Sequence, residues 1–168
     1  MQTDGDDFAA FAAAEFPRLL RFGHLLSGDR TAAEDLVQTA LARTHLHWPQ
    51  LRDRGAAPAY VRQAMVRQQA NRWNRLLSRE RTVAHVPERV DPASAYDGVD
   101  DRDAMWAALA RLAPRQRAVL VLRYYEQLSE AEIAGVLGCS TGTVKSQASK
   151  GLARLRVQLT PERTEVAP

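Results

Sequence analysis

Residues 143–150 carry a run of hydrogen-bonding side chains whose types and spacing could act on a nucleic acid. On a helix they lie opposite an apolar stripe that begins at Val144 and ends at Leu155. Lysine can reach guanine acceptors or phosphates, glutamine can pair with adenine, and serine or threonine can contact either. The pattern predicts a helix face that reads duplex DNA, with an ordinary solvated face as the alternative. The side chains are those of Thr143, Lys145, Ser146, Gln147, Ser149 and Lys150.

The segment before this face predicts the elements that would position it. Ser129 and Glu132 form a Ser-x-x-Glu capping box, which marks a helix start. Gly138 is the left-handed residue that commonly ends a helix, and a second helix starts around Ser140. Ala134 is small where the two helices would cross. Two short helices joined by a tight Gly-containing turn predict a helix-turn-helix, whose second helix enters the DNA major groove.

A second nucleic-acid pattern lies in the predicted helix from Ala59 to about Arg81. It contains six arginines against one acid, Glu80, so its net charge is six minus one, or +5. Tyr60 and Trp73 are interleaved with the arginines. Cations that neutralise phosphates, beside aromatic rings on which unpaired bases stack, suit single-stranded nucleic acid. The alternative is a solvated arginine-rich helix with Trp73 in the core, and the residues alone leave both open.

Helical periodicity accounts for most of the remaining apolar residues. Asp29 or Thr31 is predicted to cap a helix that ends at Pro49. Pro17 marks either an early helical position or a break in the first helical stretch. The chain is therefore expected to be helical on both sides of its central segment.

The central segment at residues 82–103 reads as a linker. It has six acids against two arginines, a net charge of −4, with two prolines and a glycine. Because the net charge of the linker is opposite in sign to that of the arginine-rich helix, we expect that the linker could shield this basic helix when nucleic acid is absent. The predicted fold is all-α, with two small helical domains at residues 5–80 and 104–160 joined by a flexible acidic linker at 81–103.

Composition excludes several classes of protein. The single cysteine, Cys139, rules out an intramolecular disulfide framework and fits a reducing compartment. No stretch approaches 18 apolar residues and the N-terminus is acidic, so we expect a cytoplasmic protein without membrane insertion. His45 and His47 point to different helix faces and cannot share a metal ion. With no phosphate loop or nucleophile elbow in view, we expect no cofactor, no metal and no enzymatic activity.

Three stretches resemble one family when they are taken together. LAPRQRAVLVLRYYEQLSEAEIAGVLGCSTGTVKSQASKGLARLR resembles region 4 of the extracytoplasmic-function (ECF) sigma factors, the small two-domain class of the sigma-70 family. AAEDLVQTALARTHLHW resembles region 2.2, and AYVRQAMVRQQANRWNRLLSRER resembles regions 2.3 and 2.4. The TVKSQ form of the second helix, with Gln147, is similar to an actinobacterial branch often called sigma-E-like. The motifs occur in order over residues 8–158.

The resemblance implies a non-catalytic promoter-specificity subunit of bacterial RNA polymerase. Its implied partners are core RNA polymerase, through the β′ clamp helices and the β flap, and promoter DNA, as duplex and as melted single strand. An anti-sigma factor is usual in the family, and the sequence identifies none. The implied polymerase-binding residues are Glu34, Asp35, Gln38 and Arg43. The implied −10 element residues are Arg54, Tyr60, Arg62, Arg67, Asn71 and Trp73. The six polar residues of the predicted recognition helix would read the −35 element, with Arg154 on phosphates.

Two other functions fit part of the chain. A stand-alone helix-turn-helix regulator would explain residues 104–158, with the N-terminal half as a sensor. The arginine-rich aromatic helix next to AEDLVQ argues against it, since a sensor does not need that helix. A third possibility is a non-transcribing protein that uses a sigma-like surface as a decoy. Only a functional assay would distinguish it from a sigma factor.

Overall fold

The computed structural model describes residues 4–80 and 101–160, and these residues form seven α-helices linked by short 3-10 and π-helical turns. The predicted all-α fold is confirmed. The predicted linker lies outside the described residues except for positions 101–103, and so does the proposed shielding by it. The helices are α1 (Asp4–Ser27), α2 (Arg30–His47), α3 (Ala57–Glu80), α4 (Asp101–Ala110), α5 (Pro114–Leu120), α6 (Glu130–Leu137) and α7 (Thr141–Leu159).

Helices α1, α2 and α3 form the N-terminal bundle. Phe22, Val37 and Met65 are fully buried where the three helices meet. Pro17 lies inside α1 and does not break it, whereas Asp29 caps α2 by accepting the Ala32 N–H at 2.8 Å. The sequence had left both points open. The bundle therefore fixes the outward faces of α2 and α3.

Helices α4 to α7 form the C-terminal domain. Helix α5 packs on α7, and α6 packs on α7 through Ile133, Ala134 and Val144. Between α5 and α6 the chain makes a π-helical turn at Val121–Tyr125, which helical periodicity did not predict. Such turns are rare and occur frequently at functional sites.

The two domains touch each other. Helix α1 contacts α4 and α5, and α3 contacts α6. Buried residues of both domains belong to one continuous hydrophobic cluster. Among the helices at residues 4–80 and 101–160, none is both long and apolar enough to cross a bilayer.

Candidate nucleic-acid interfaces

The helix-turn-helix has the local geometry that its sequence predicts. Ser129 Oγ accepts the Glu132 N–H at 3.2 Å, and Glu132 Oε2 accepts the Ser129 N–H at 2.8 Å. The backbone N–H of Ser129 lowers the pKa of the Glu132 carboxyl. Gly138 ends α6 with φ of 63°, a left-handed conformation that an L side chain rarely adopts. The capping box and the glycine turn are confirmed.

Helix α7 buries its apolar stripe and leaves its polar face outside. Val144, Ala148 and Gly151 are buried, and Ser140 Oγ caps the helix by accepting the Thr143 N–H at 3.1 Å. Thr143 and Gln147 are half-buried beside this stripe. One continuous polar surface results, and its exposed members are Lys145, Ser146, Ser149, Lys150 and Arg154.

A basic cleft that the sequence did not predict lies beside this surface. The cleft measures about 320 Å³ and is lined by Arg123, Tyr124, Glu130, Lys145 and Arg156, among others. Glu130 joins two of the cations: its carboxylate lies 2.9 Å from Arg123 Nη1 and 3.7 Å from Lys145 Nζ. Arg123 precedes the helix-turn-helix, so only the tertiary fold brings it to α7.

Helix α2 presents a second exposed face. Asp35 and Gln38 are exposed, while Glu34 is half-buried and pairs with Arg30 at 3.1 Å. Arg43 is exposed on the flank of the same helix. Leu46, to which the sequence analysis assigns no role, is 74% exposed. It lies eleven residues, or about three turns, after Asp35, so the two share one face.

Helix α3 divides the predicted −10 residues between two faces. Tyr60, Arg67 and Asn71 are exposed, and their spacing of seven and four residues places them on one outward face. Arg62 and Trp73 lie on the opposite side. Trp73 is 5% exposed and belongs to the core, which is the alternative that the residues had left open, so its indole cannot stack on a base in this arrangement.

The two arginines with predicted −10 roles outside this face are engaged within the chain. Arg62 Nε lies 3.4 Å from Glu126 Oε1, in the other domain. Arg54 lies with its guanidinium 4.1 Å from the centroid of the Trp48 ring, and its Nη1 donates to the Trp48 carbonyl at 2.7 Å. Its Nε is 3.7 Å from Asp7. Arg54 therefore fastens the loop between α2 and α3 to the bundle.

Metal binding has no candidate site in these two stretches of chain. Across residues 4–80 and 101–160, no three His, Cys, Asp or Glu side chains come together in a way that could hold an ion.

Comparison with known proteins assigns both domains. Residues 11–79 match the family described as Sigma-70 region 2, and residues 102–155 match Sigma-70, region 4. The RNA polymerase sigma-E factor of Streptomyces coelicolor is 40% identical over 157 residues, covering 91% of this chain and 86% of that protein. The ECF RNA polymerase sigma factor SigL of Mycobacterium tuberculosis is 34% identical over 147 residues, covering 84% and 82%. The chain belongs to the ECF sigma factors.

A solved structure resembles this sigma factor over most of its length. The sigma factor RpoE of Bartonella quintana, crystallised with the anti-sigma factor NepR, matches with a TM-score of 0.58 and 26% identity. The match covers 94% of this chain and 99% of that one. The Streptomyces relative agrees with the predicted sigma-E-like branch.

As a sigma factor, the protein directs promoter recognition by RNA polymerase through regions 2 and 4 and is not itself an enzyme. This assignment replaces the stand-alone regulator, because both domains match sigma regions. Region 2 comprises α1 to α3 and region 4 comprises α4 to α7. The family implies core RNA polymerase and promoter DNA as partners.

Proposed function

We propose that this sigma factor reads the −35 element with α7, captures the melted −10 strand with the outward face of α3, and binds polymerase with α2. The observation that carries the proposal is the sorting of side chains on α7. Its apolar stripe is buried against region 4, while Lys145, Ser149 and Lys150 stay exposed. A helix held in this way can enter the major groove without any rearrangement of its own domain.

On α7, the amide and hydroxyl groups would read bases and the cations would mostly hold phosphates. Gln147 and Ser146 can form hydrogen bonds to base edges, and Lys145 can reach guanine or a phosphate. Lys150 and Arg154, further along the exposed side, suit the phosphate backbone. The cleft that contains Arg123 and Arg156 extends this positive surface beyond the helix itself.

On α3, the outward face combines the groups that a single strand needs. Tyr60 is 39% exposed and offers a ring for an unstacked base, with Arg67 and Asn71 on the same side for phosphate and base. Arg54 would act by holding the neighbouring loop in place. Arg62 lies on the opposite side of α3, paired with Glu126, and would not contact a strand on the outward face. Trp73 would support α3 from the core.

On α2, Asp35, Gln38 and Leu46 form the centre of the surface proposed for the β′ clamp helices, with Glu34 and Arg43 at its sides. Region 4 would contact the β flap. By analogy with RpoE of Bartonella quintana, an anti-sigma factor is a partner to be sought for this chain as well. The protein would act in the cytoplasm, where the polymerase is.

Run-off transcription with core RNA polymerase stripped of its own sigma factor tests this assignment. Wild-type protein should yield transcripts from a genomic promoter pool that share two upstream motifs. The Glu34→Lys/Asp35→Lys variant should lose polymerase binding and therefore all transcripts. Lys145→Glu serves as the matched control, because it should keep polymerase binding but lose promoter selection. Unchanged transcription by the α2 variant would refute the polymerase surface.

A further inference from the structure

A carboxylate lies between two cations beside the recognition helix. Glu130 Oε1 accepts a hydrogen bond from Arg123 Nη1 at 2.9 Å, and Glu130 Oε2 lies 3.7 Å from Lys145 Nζ. The three residues come from the π-helical turn, from α6 and from α7. One acid therefore links the recognition helix to the two elements that precede it.

The backbone fixes the point from which the Glu130 side chain extends. Glu130 is the first residue of α6 and directly follows Ser129, whose capping box with Glu132 holds this end of the helix. The box uses the carboxylate of Glu132 and leaves that of Glu130 to the cations. The helix dipole favours an acid in the first turn, but it does not direct that acid toward α7. Helix initiation therefore does not explain the orientation of Glu130.

Arg123 is held from a second side as well. Its guanidinium lies 5.7 Å from the centroid of the Tyr124 ring, and an arginine near an aromatic face gains a cation–π attraction. Arg123 therefore anchors Glu130, and Glu130 in turn reaches Lys145. The Lys145 side chain is 66% exposed, so most of it stays accessible to DNA despite the ion pair.

The ion pair distinguishes Lys145 from other cations on the exposed side of α7. Lys145, Lys150 and Arg154 are all exposed. Lys150 and Arg154 form no ion pair with any residue in the described part of the chain. Their charges are therefore available to phosphates, whereas the charge of Lys145 is partly neutralised by Glu130.

This pairing affects which DNA atoms Lys145 prefers. A phosphate that reaches Lys145 also approaches Glu130, and like charges closer than the Debye length of about 8–10 Å repel each other. Guanine N7 and O6 are neutral acceptors, so they meet no such repulsion. A lysine ammonium has three N–H donors, so it can stay paired with Glu130 while it donates to a base. Lys145 is therefore expected to favour base edges over phosphates.

The same repulsion acts on non-specific DNA binding. Non-specific complexes depend on the neutralisation of phosphates, and phosphate contacts carry no sequence information. An acid in the cleft lined by Arg123, Lys145 and Arg156 weakens the attraction to any duplex. A specific site loses less, because there Lys145 donates to a neutral base. A penalty against the wrong partner is one of the two ways in which an interface gains specificity.

We propose that Glu130 is a specificity-determining residue of the −35 interface. Its pairing with Arg123 and Lys145 suppresses phosphate contacts by these cations and directs Lys145 toward a base. Glu130 is a positioning residue, because it acts through Lys145 rather than by its own contact with DNA. The inference rests on the proposed reading of the −35 element by α7.

Duplex binding by the full chain tests the proposal. The probes are a labelled duplex that carries the −35 motif recovered from run-off transcription and the same duplex with that motif scrambled. Glu130→Gln should bind the scrambled duplex about two- to fivefold more tightly, since a partly exposed ion pair is worth about that factor. The salt slope for the scrambled duplex should steepen by about 1 for the phosphate gained. Affinity for the −35 duplex should rise less, so the ratio of the two affinities should fall.

Two controls separate this role from general charge and from folding. Glu15→Gln in α1 removes the same charge from another partly exposed ion pair, with Arg18 at 3.7 Å, and should leave the ratio unchanged. In a Lys145→Ala background, Glu130→Gln should no longer lower the ratio, because the side chain through which Glu130 acts is absent. If Glu130 only stabilised α6, its substitution would weaken binding to both duplexes together.

The outcomes distinguish this inference from the proposed function. Wild-type protein that prefers the −35 duplex, together with an unchanged ratio in Glu130→Gln, would overturn the role of Glu130 and leave the −35 assignment standing. A ratio that falls by the same factor in the Lys145→Ala background would also overturn it. Wild-type protein with no preference between the duplexes would contradict the −35 assignment itself, and the role of Glu130 with it.

Discussion

Leu46 provides a sharp test of the polymerase-binding surface, because its side chain has no evident use in the folded chain. It is 74% exposed on the outward face of α2, where an apolar side chain gains nothing from water. We predict that Leu46→Gln weakens binding to core polymerase and leaves folding unchanged, since leucine and glutamine have similar helix propensities.

The size of the effect follows from the exposure. Full burial of a leucine side chain stabilises by about 1.5–3 kcal/mol, and three quarters of this side chain is still available for burial in a complex. Leu46→Gln should therefore weaken the binding free energy by about 1–2 kcal/mol, which raises Kd roughly five- to thirtyfold.

The assay is a titration of labelled sigma factor with core polymerase, followed by fluorescence anisotropy. Ala13→Gln, on the exposed side of α1, places the same side chain elsewhere on region 2 and should leave Kd unchanged. Equal affinities for Leu46→Gln and wild type, with both proteins folded, would refute the assignment of this face to the polymerase.

Three further predictions concern stability and DNA binding. A Cβ at Gly23 would lie 3.1 Å from the Ala33 carbonyl oxygen, so Gly23→Ala should lower the free energy of unfolding by about 1 kcal/mol. A Cβ at Gly135 would have nothing within 4 Å, so Gly135→Ala should raise the free energy of unfolding by about 0.5–1 kcal/mol. Thermal unfolding measures both changes. The pKa of the Glu132 carboxyl is lowered in the folded state, so the ionised carboxylate stabilises the fold. This contribution to the free energy of unfolding is present above the unfolded-state pKa and is lost as pH falls through the folded-state pKa. The unfolding free energies of wild type and Glu132→Gln should therefore converge in acid, and a constant difference would contradict the capping box. Lys150→Gln should remove one phosphate contact and so reduce the slope of log affinity for −35 duplex against log salt by about 1, which a salt titration measures.

The sequence predicts those parts of the fold that depend on local interactions. The Ser129 capping box and the left-handed Gly138 are decided within a few residues, and both are present. The burial of Val144 opposite the polar side of α7 follows from helical spacing alone. These features sufficed to define the recognition helix.

The parts that the sequence did not predict depend on contacts between distant residues. Arg117 reads as one of many surface arginines, and only the packing of α5 against the end of α1 buries it. Arg62 and Trp73 share a helix with Tyr60, yet the face that each occupies depends on where region 2 has its core. Leu46 could have been found by its spacing from Asp35, since a leucine on a charged face is itself a signal.

Promoter selection tests the central claim, that α7 and α3 read different elements, most directly. A promoter library randomised at both elements is transcribed by core polymerase with wild-type protein, Lys145→Gln or Asn71→Ala, and the transcripts are sequenced. We predict that Lys145→Gln changes the preferred sequence only at the −35 element and that Asn71→Ala changes it only at the −10 element. A change at the −10 element caused by Lys145→Gln, or no change with either variant, would contradict the account.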